Sequence, residues 1–305
     1  MIAFMTRLSR RRPSSTPSPR LRGRTVRDQR NAGGLLFGPR RLDDSYSGIF
    51  VPEGPVERYV DDEILARRLA TEAGALLLRV RDEFQSPDRQ ALRNYGDAAA
   101  QRFLAAELAA ARPADAVLSE EAVDDPARLT ADRVWIIDPL DGTREFAEGR
   151  QDWAVHVALW SDGDLVTGAV ALPGLGRTLA TDVPPEIPGR GDGRPRIAVS
   201  RSRAPRVALV AARELGAELV PMGSAGFKVG AVLRGEVDAY VHAGGQFEWD
   251  SAAPVAVARA AGLHATRLDG SRLVYNRPDP YLPDLIVCRR ELASDLLAVC
   301  VPAPR

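Results

Sequence analysis

The sequence predicts a mixed α and β fold, an α+β first half followed by an α/β second half in which helices cover a sheet. Three patterns predict it. Residues 61–81 place Ile64, Leu65, Leu69, Ala73, Leu76, Leu77 and Val80 on one side at helical spacing. Val134–Ile137 is a short continuous apolar run and Trp153–Trp160 alternates, both marks of strands. From residue 197 onward strand and helix patterns alternate, the signature of helices packed on sheets.

Taken in order, regular structure is expected to begin near Val60 with the helix over 61–81. Gly96-Asp97 then opens a second helix, with Asp97 as N-cap, Phe103, Leu104 and Leu108 as its apolar stripe, and Pro113 as its end. Ala116–Leu118 is a short strand. Pro139 is expected to stop the ladder of the Val134–Ile137 strand, because proline has no N–H to donate. Ser161-Asp162-Gly163-Asp164 is a hairpin turn from Trp153–Trp160 into Leu165–Leu172. The segment 182–195 is rich in Pro and Gly and has no apolar period, so it marks a boundary. The expected division is a disordered Arg-rich tail over 1–55, an α+β subdomain over 56–190 and an α/β subdomain over 191–305. Beyond the boundary the strands are Ile197–Val199, Leu219–Val220, Val237–Val241 and Leu285–Val287. The helices are Val207–Leu215, Gly226–Leu233, Asp250–Ala261 (closed by Gly262 in a left-handed cap) and Glu291–Val299.

Composition excludes several functions. With 45% hydrophobic and 27% charged residues in 305, the chain has the make-up of a globular enzyme with room for a real core. The 41 basic and 41 acidic residues cancel, which argues against a body-wide nucleic-acid binder, but the cancellation is uneven. Residues 1–42 hold eleven Arg and a single acid, Asp28, so a +10 tail precedes a −10 body. The tail has the Arg- and Ser-rich, acid-poor make-up of a transit peptide, but no apolar stretch follows Arg10–Arg12 as a twin-arginine signal requires. It reads as an unfolded extension with too little apolar content to bury, or an over-extended start. No apolar run approaches the roughly 18 residues of a membrane span. Cys288 and Cys300 make neither a disulfide framework nor a CxxC site, which fits reduced thiols in the cytoplasm. His156, His242 and His264 show no zinc-site spacing.

The chemistry concentrates between Leu118 and Asp152. Asp138 ends an apolar strand, Pro139 follows, and Asp141-Gly142 makes a turn. Two carboxylates at i and i+3 across such a turn converge on one point, and the Leu140 carbonyl can face it too. Gly142 and Thr143 then start a segment with free backbone N–H groups, a seat for phosphate. All-oxygen ligation favours a hard cation, Mg²⁺ over Zn²⁺. A strand-end Asp138 and a turn Asp141 without a metal is the plainer alternative at this level. Glu121, Asp124 and Asp125 read as solvated loop acids, and His242 as a structural histidine.

The stretch Asp138-Pro139-Leu140-Asp141-Gly142-Thr143-Arg144-Glu145-Phe146, preceded by Val134-Trp135-Ile136-Ile137, resembles the signature of the inositol monophosphatase superfamily. Leu118-Ser119-Glu120-Glu121 matches its upstream Glu pair, and Trp249-Asp250-Ser251-Ala252-Ala253 its distant Trp-Asp-x-Ala-Ala motif. Within it the chain is most similar to the bisphosphate nucleotidase (CysQ-type) branch, on Arg144-Glu145, Val199-Ser200-Arg201-Ser202, Gly223-Ser224 with Lys228, and Tyr275-Asn276-Arg277-Pro278.

The resemblance implies a layered αβαβα sandwich and a phosphatase acting on 3′-phosphoadenosine 5′-phosphate, its sulfated form included. It implies two or three Mg²⁺ ions held by Glu120, Asp138, the Leu140 carbonyl, Asp141 and Asp250. Glu120 and Thr143 orient the attacking water with Asp97, the family's upstream acid. Gly142, Thr143, Ser200, Arg201, Ser202, Ser224 and Lys228 contact substrate, Lys228 being the only lysine against 40 arginines. The chain departs from the pattern in the Arg93-Asn94-Tyr95-Gly96 that precedes Asp97, in Pro254 where Gly is usual, and in the single Ser before Ala225-Gly226. The alternatives are inositol monophosphate or fructose 1,6-bisphosphate as substrate, or a catalytically silent phosphate-binding protein. The implied partner is a small nucleotide, with no specific nucleic acid and no membrane; oligomeric state stays open between monomer and homodimer.

Overall fold

The structure, a computed structural model, describes residues 62–300, all within one compact unit that runs from Arg58. The tail expected over 1–55 lies outside the described residues. Two helices come first, α1 (Asp62–Glu83) and α2 (Arg89–Ala111). A five-stranded sheet follows in the order β1 (Ala116–Ser119), β2 (Arg133–Asp141), β3 (Ala154–Ser161), β4 (Asp164–Leu172), β5 (Arg177–Ala180), with the short helix α3 (Thr143–Ala147) between β2 and β3. Only β1 and β2 are parallel in it. The second sheet has the order β7-β6-β8-β10-β9, from β6 (Arg196–Ser200), β7 (Glu218–Met222), β8 (Ala239–Phe247), β9 (His264–Thr266) and β10 (Tyr281–Cys288). Helices α4 (Arg206–Glu214), α5 (Ala225–Leu233), α6 (Glu248–Ala260) and α7 (Ala293–Cys300) connect and cover it.

Five layers result, because both sheets are covered on both faces. Leu65, Leu69, Leu104 and Leu108 of α1 and α2 pack on Trp135, Ile137 and Val157 of the first sheet. The opposite face, Val134 and Ile136, joins Val229 of α5, Val255 of α6, and Tyr240 and Val287 of the second sheet. Helices α4 and α7 cover the far face at Ile197, Val199, Val241 and Ile286. The αβαβα order is the one expected. It explains why β2 reads as a continuous apolar run: neighbouring residues face opposite layers, and neither layer is water. The Pro- and Gly-rich segment 182–195 runs from the first sheet to the second.

Two expectations are corrected. The second helix starts at Arg89, not at Gly96-Asp97, and its N-cap is Asp88, which accepts from the N–H groups of Gln90 (2.9 Å) and Ala91 (3.2 Å). Asp97 is therefore a mid-helix residue. Gly96 is there for packing: a Cβ at that position would sit 2.9 Å from Phe146 Cε1 and 3.2 Å from Leu140 Cδ2. Gly96→Ala is accordingly expected to destabilise by about 1–2 kcal/mol, overpacking outweighing the better helix propensity of alanine. Thermal melting checks this, and a raised Tm would refute the close approach. Pro139 also fails to stop its strand. β2 continues to Asp141 through a bulge between Asp138 and Asp141, which absorbs the missing donor.

Candidate metal centre

β1 and β2 run parallel and end at one edge, so Glu120 just beyond β1 and Asp138 on β2 are delivered side by side. Asp138 continues the Val134 and Ile136 face into the middle layer. It is fully buried and pairs across the ladder with His156 on β3. The Leu140 N–H, displaced by the bulge, donates to Asp138 Oδ1 at 3.1 Å. Gly142 follows at φ +89°, and a side chain there would crowd Ser224 and Trp153, each 3.2 Å from the added Cβ. That turn starts α3 and brings the Thr143 hydroxyl back to the Leu140 carbonyl at 3.2 Å.

Asp141 is held on one oxygen only. The Ser224 hydroxyl (2.5 Å) and the Gly226 N–H (2.7 Å) donate to Oδ2, and His156 Nε2 lies 3.3 Å from it. Oδ1 is left clear. Ser224 also caps α5, accepting from the Phe227 N–H at 2.9 Å. The turn before it is fixed from two sides: Asp152 accepts from the Gly223 N–H (2.6 Å), and Lys228 Nζ donates to the carbonyls of Ser224 (2.5 Å) and Gly223 (3.1 Å). His156 Nδ1 meets the Trp249 carbonyl at 3.0 Å, so that nitrogen carries the proton. Ser224→Ala removes the cap and one donor to Asp141 at once. It is expected to cost about 1 kcal/mol of stability and about tenfold in metal affinity. Metal titration by calorimetry checks it, and unchanged affinity would remove Ser224 from the site.

Asp250 sits in the first turn of α6, where its Oδ2 accepts from the Phe247 N–H at 2.7 Å. It reaches back to the helix start from the third position, and is not itself the N-cap. Desolvation, with the charge of Asp141 next, pushes Asp250 up to about 7. Desolvation, then Asp141 and Glu121, does the same to Glu120, which reaches about 7. Asp97 is also raised to about 7, by burial and then by Glu121. Asp138 is raised well above the carboxylate range by burial and by Glu120, Asp141 and Asp250. Asp141 alone goes down: burial opposes ionisation, but His156, Lys228 and Ser224 outweigh it. The same Asp141 raises His156 against the opposing effect of burial.

Five acids from four segments thus repel one another around one point. Asp138 Oδ2, buried, has no hydrogen-bond partner. Asp138, Asp141 and His156 each offer an atom within 4.8 Å of the others. An orphaned buried carboxylate oxygen in a cluster with Asp141 fits a hard divalent cation, and the oxygen-rich donor set fits it too.

The expected substrate contacts have these partners within the protein. Lys228 is buried beneath the 223–224 turn, with its ammonium 5.2 Å from the Tyr240 ring, and burial lowers its pKa despite four nearby acids, Asp141 first. Ser224 spends its hydroxyl on Asp141. Arg201 gives its guanidinium to Glu145 and Glu148, both at 2.8 Å, and Ser200 lies 3.3 Å from Ser202. His242 is structural, its Nε2 2.8 Å from the Gly244 carbonyl and its pKa pushed down by burial to about 4. Asp124 is no free loop acid but the bidentate partner of buried Arg128, and Asp125 caps the turn that follows. Three contributors were missed: His156, Asp152 and Glu248. The last accepts from the N–H groups of Asn276 (2.7 Å) and Arg277 (2.9 Å). Nothing local marks them, since each acts on a residue far away in sequence.

The sequence model of the inositol monophosphatase family matches residues 61–183 and 195–299. The 3′-phosphoadenosine 5′-phosphate phosphatase of Mycobacterium leprae is 51% identical over 257 residues, covering 78% of this chain and 93% of its own. The protein of the same name from Mycobacterium tuberculosis is 54% identical over 243 residues, 77% of this chain and 91% of its own. Among solved structures, CysQ from Bacteroides thetaiotaomicron superposes with a TM-score of 0.65 at 24% identity, over 76% of this chain and 98% of its own, a likeness of fold.

Proposed function

The chain belongs to the inositol monophosphatase family, and from that premise we propose a Mg²⁺-dependent phosphatase that removes the 3′-phosphate of 3′-phosphoadenosine 5′-phosphate, leaving AMP and phosphate. The observation that carries the reading is the acidic cluster itself, with Asp138 Oδ2 buried and unpaired. The names of relatives more than half identical support the choice of substrate.

Glu120, Asp138, the Leu140 carbonyl, Asp141 through Oδ1, and Asp250 would hold two or three Mg²⁺ ions. Bound there, the cations supply Lewis acidity, which lowers the pKa of a water and offsets charge on the phosphoryl oxygens. The chain's own groups do the rest. Asp141 is kept ionised by Ser224, Gly226 and His156. The Thr143 hydroxyl, steered by Leu140 O and Asp97, orients the attacking water with Glu120. The N–H groups of Gly142 and Thr143 meet the phosphoryl oxygens where charge develops. Ser200 and Ser202 lie beside the Arg201 latch and are proposed to line the substrate entry. Lys228 acts through the turn it holds, as a buried positive charge near Asp141.

Among the described residues no helix is long and apolar enough to cross a membrane, and Cys288 and Cys300 are free and buried, which suits a reducing compartment such as the cytoplasm. A panel of 3′-phosphoadenosine 5′-phosphate, inositol 1-phosphate and fructose 1,6-bisphosphate, with and without Mg²⁺, tests the substrate. The nucleotide is expected to show the highest kcat/KM by at least tenfold. Faster turnover of inositol phosphate would move the assignment to the other branch.

A further inference from the structure

The segment before Asp97 departs from the family pattern, and one of its residues has no task in the chemistry above. Arg93 lies one turn before Asp97 on α2, so Arg93, Gly96 and Asp97 share a helix face. That face is pressed on the phosphate seat. The space beside Gly96 is taken by Phe146 of α3 and by Leu140, and the Asp97 carboxyl is hydrogen-bonded to Thr143. Burial and then the charge of Glu121 raise the Asp97 pKa, and the positive charge of Arg93 opposes them. Arg93 itself is half-buried. Its Nε is buried without a hydrogen-bond partner. Among the described residues its guanidinium makes no ion pair and has one hydrogen bond, a long one of 3.4 Å from Nη1 to Gln90 Oε1. The cations that the sequence singled out are committed elsewhere. Lys228 donates to two carbonyls, Arg201 is claimed by Glu145 and Glu148, and Arg144 pairs with Glu148 at 3.0 Å.

We propose that the Arg93 guanidinium binds oxygens of the phosphoryl group at the Gly142–Thr143 seat, as a catalytic residue that holds substrate and product phosphate alike. The inference rests on the phosphatase reading above and adds a residue to it. A phosphate monoester brings about two negative charges to a rim of carboxylates. Its transfer spreads charge over the equatorial oxygens, more acceptors than two backbone N–H groups can satisfy. A guanidinium that no carboxylate claims keeps its charge for an anion, and its planar fork meets phosphate oxygens two at a time. An unmet, partly buried donor also costs stability in the free protein, and an anion at the seat offsets that cost.

Titration of inorganic phosphate into the Mg²⁺-loaded protein, followed by calorimetry, tests the assignment. Arg93→Gln keeps a good helix former at this position. It is expected to weaken phosphate binding by about tenfold or more and to lower kcat by about a hundredfold. The same variant removes a positive charge beside Asp97. Mg²⁺, titrated without phosphate, is therefore expected to bind as tightly as in the parent protein or more tightly. These opposite signs separate anion binding from a merely structural role, which would weaken both ligands together. Arg93→Lys keeps the charge and loses the fork, so its phosphate affinity is expected to fall between the two. Unchanged phosphate affinity in Arg93→Gln, or a joint loss of phosphate and Mg²⁺ affinity, would overturn the proposal. Inorganic phosphate is common to every substrate considered. Failure to hydrolyse 3′-phosphoadenosine 5′-phosphate would thus sink the nucleotide reading and leave this titration to decide on Arg93.

Discussion

Asp138→Asn is expected to lower kcat by about a thousandfold or more while leaving the metal-free protein at least as stable as the parent. The two effects have one cause. Asp138 is fully buried, its Oδ2 has no donor, and Glu120, Asp141 and Asp250 all disfavour its charge. Without a cation it is a buried charge opposed by its neighbours, which is costly unless neutralised. Asparagine has the same shape and no charge, and its amide nitrogen can donate to a neighbouring carboxylate. At pH 8 the metal-free variant should therefore melt about 3–6 °C higher, corresponding to about 1–2 kcal/mol. The amide is a poor ligand for a hard cation, so turnover falls by the several kcal/mol that metal chemistry supplies. Phosphate release and melting in chelator, measured on one preparation, check both halves. Unchanged activity would sink the metal reading, and a catalytically silent binding protein would show the stability change with no turnover to lose. A large drop in metal-free Tm would mean that Asp138 holds the fold and is not a strained functional group.

The legible parts of the protein were those whose reason is local. Asp138, Pro139, Asp141 and Gly142 announce a carboxylate-bearing turn because each residue type constrains its own backbone, and apolar periods mark the helices and strands, while the order of the layers came from the family resemblance. The errors share a different origin. Gly96 and Asp97 look like a helix start because glycine breaks helices and aspartate caps them, but Asp88 does the capping, and Gly96 is demanded by Phe146, fifty residues on. His156 was read only as a histidine without zinc spacing, since its role depends on the register of β3 on β2 and on Trp249 in another layer. Lys228 stood out by composition, but composition does not say which acceptor an ammonium takes, and here it takes two carbonyls. The short edge strands β5 and β9 carry too few residues to show an alternation, so only pairing with β4 and β10 defines them.

Removing the metal should make stability fall as pH rises, and restoring it should flatten that slope. In the metal-free protein Asp97, Glu120 and Asp250 titrate near 7 against roughly 4 for free carboxyls, and burial with the neighbouring carboxylates raises Asp138 as well. Between about pH 4 and 7 the folded state therefore binds more protons than the unfolded chain. Stability then decreases with pH across that window, since its slope follows the protons bound unfolded minus those bound folded. His156, also raised, contributes with the same sign, because the stability it lends while protonated is lost on the way up. Asp141 has the opposite sign, but its lowered pKa confines it to the acid side of the window. The expected result in chelator is a Tm that drops by about 5 °C or more between pH 5 and 8. Added Mg²⁺ competes with those protons, so it should raise Tm strongly at pH 8 and little at pH 5. Activity should disappear in chelator at either pH and return with Mg²⁺. A Tm gain from Mg²⁺ that is equal at both values would mean that the ion binds elsewhere than among these carboxylates.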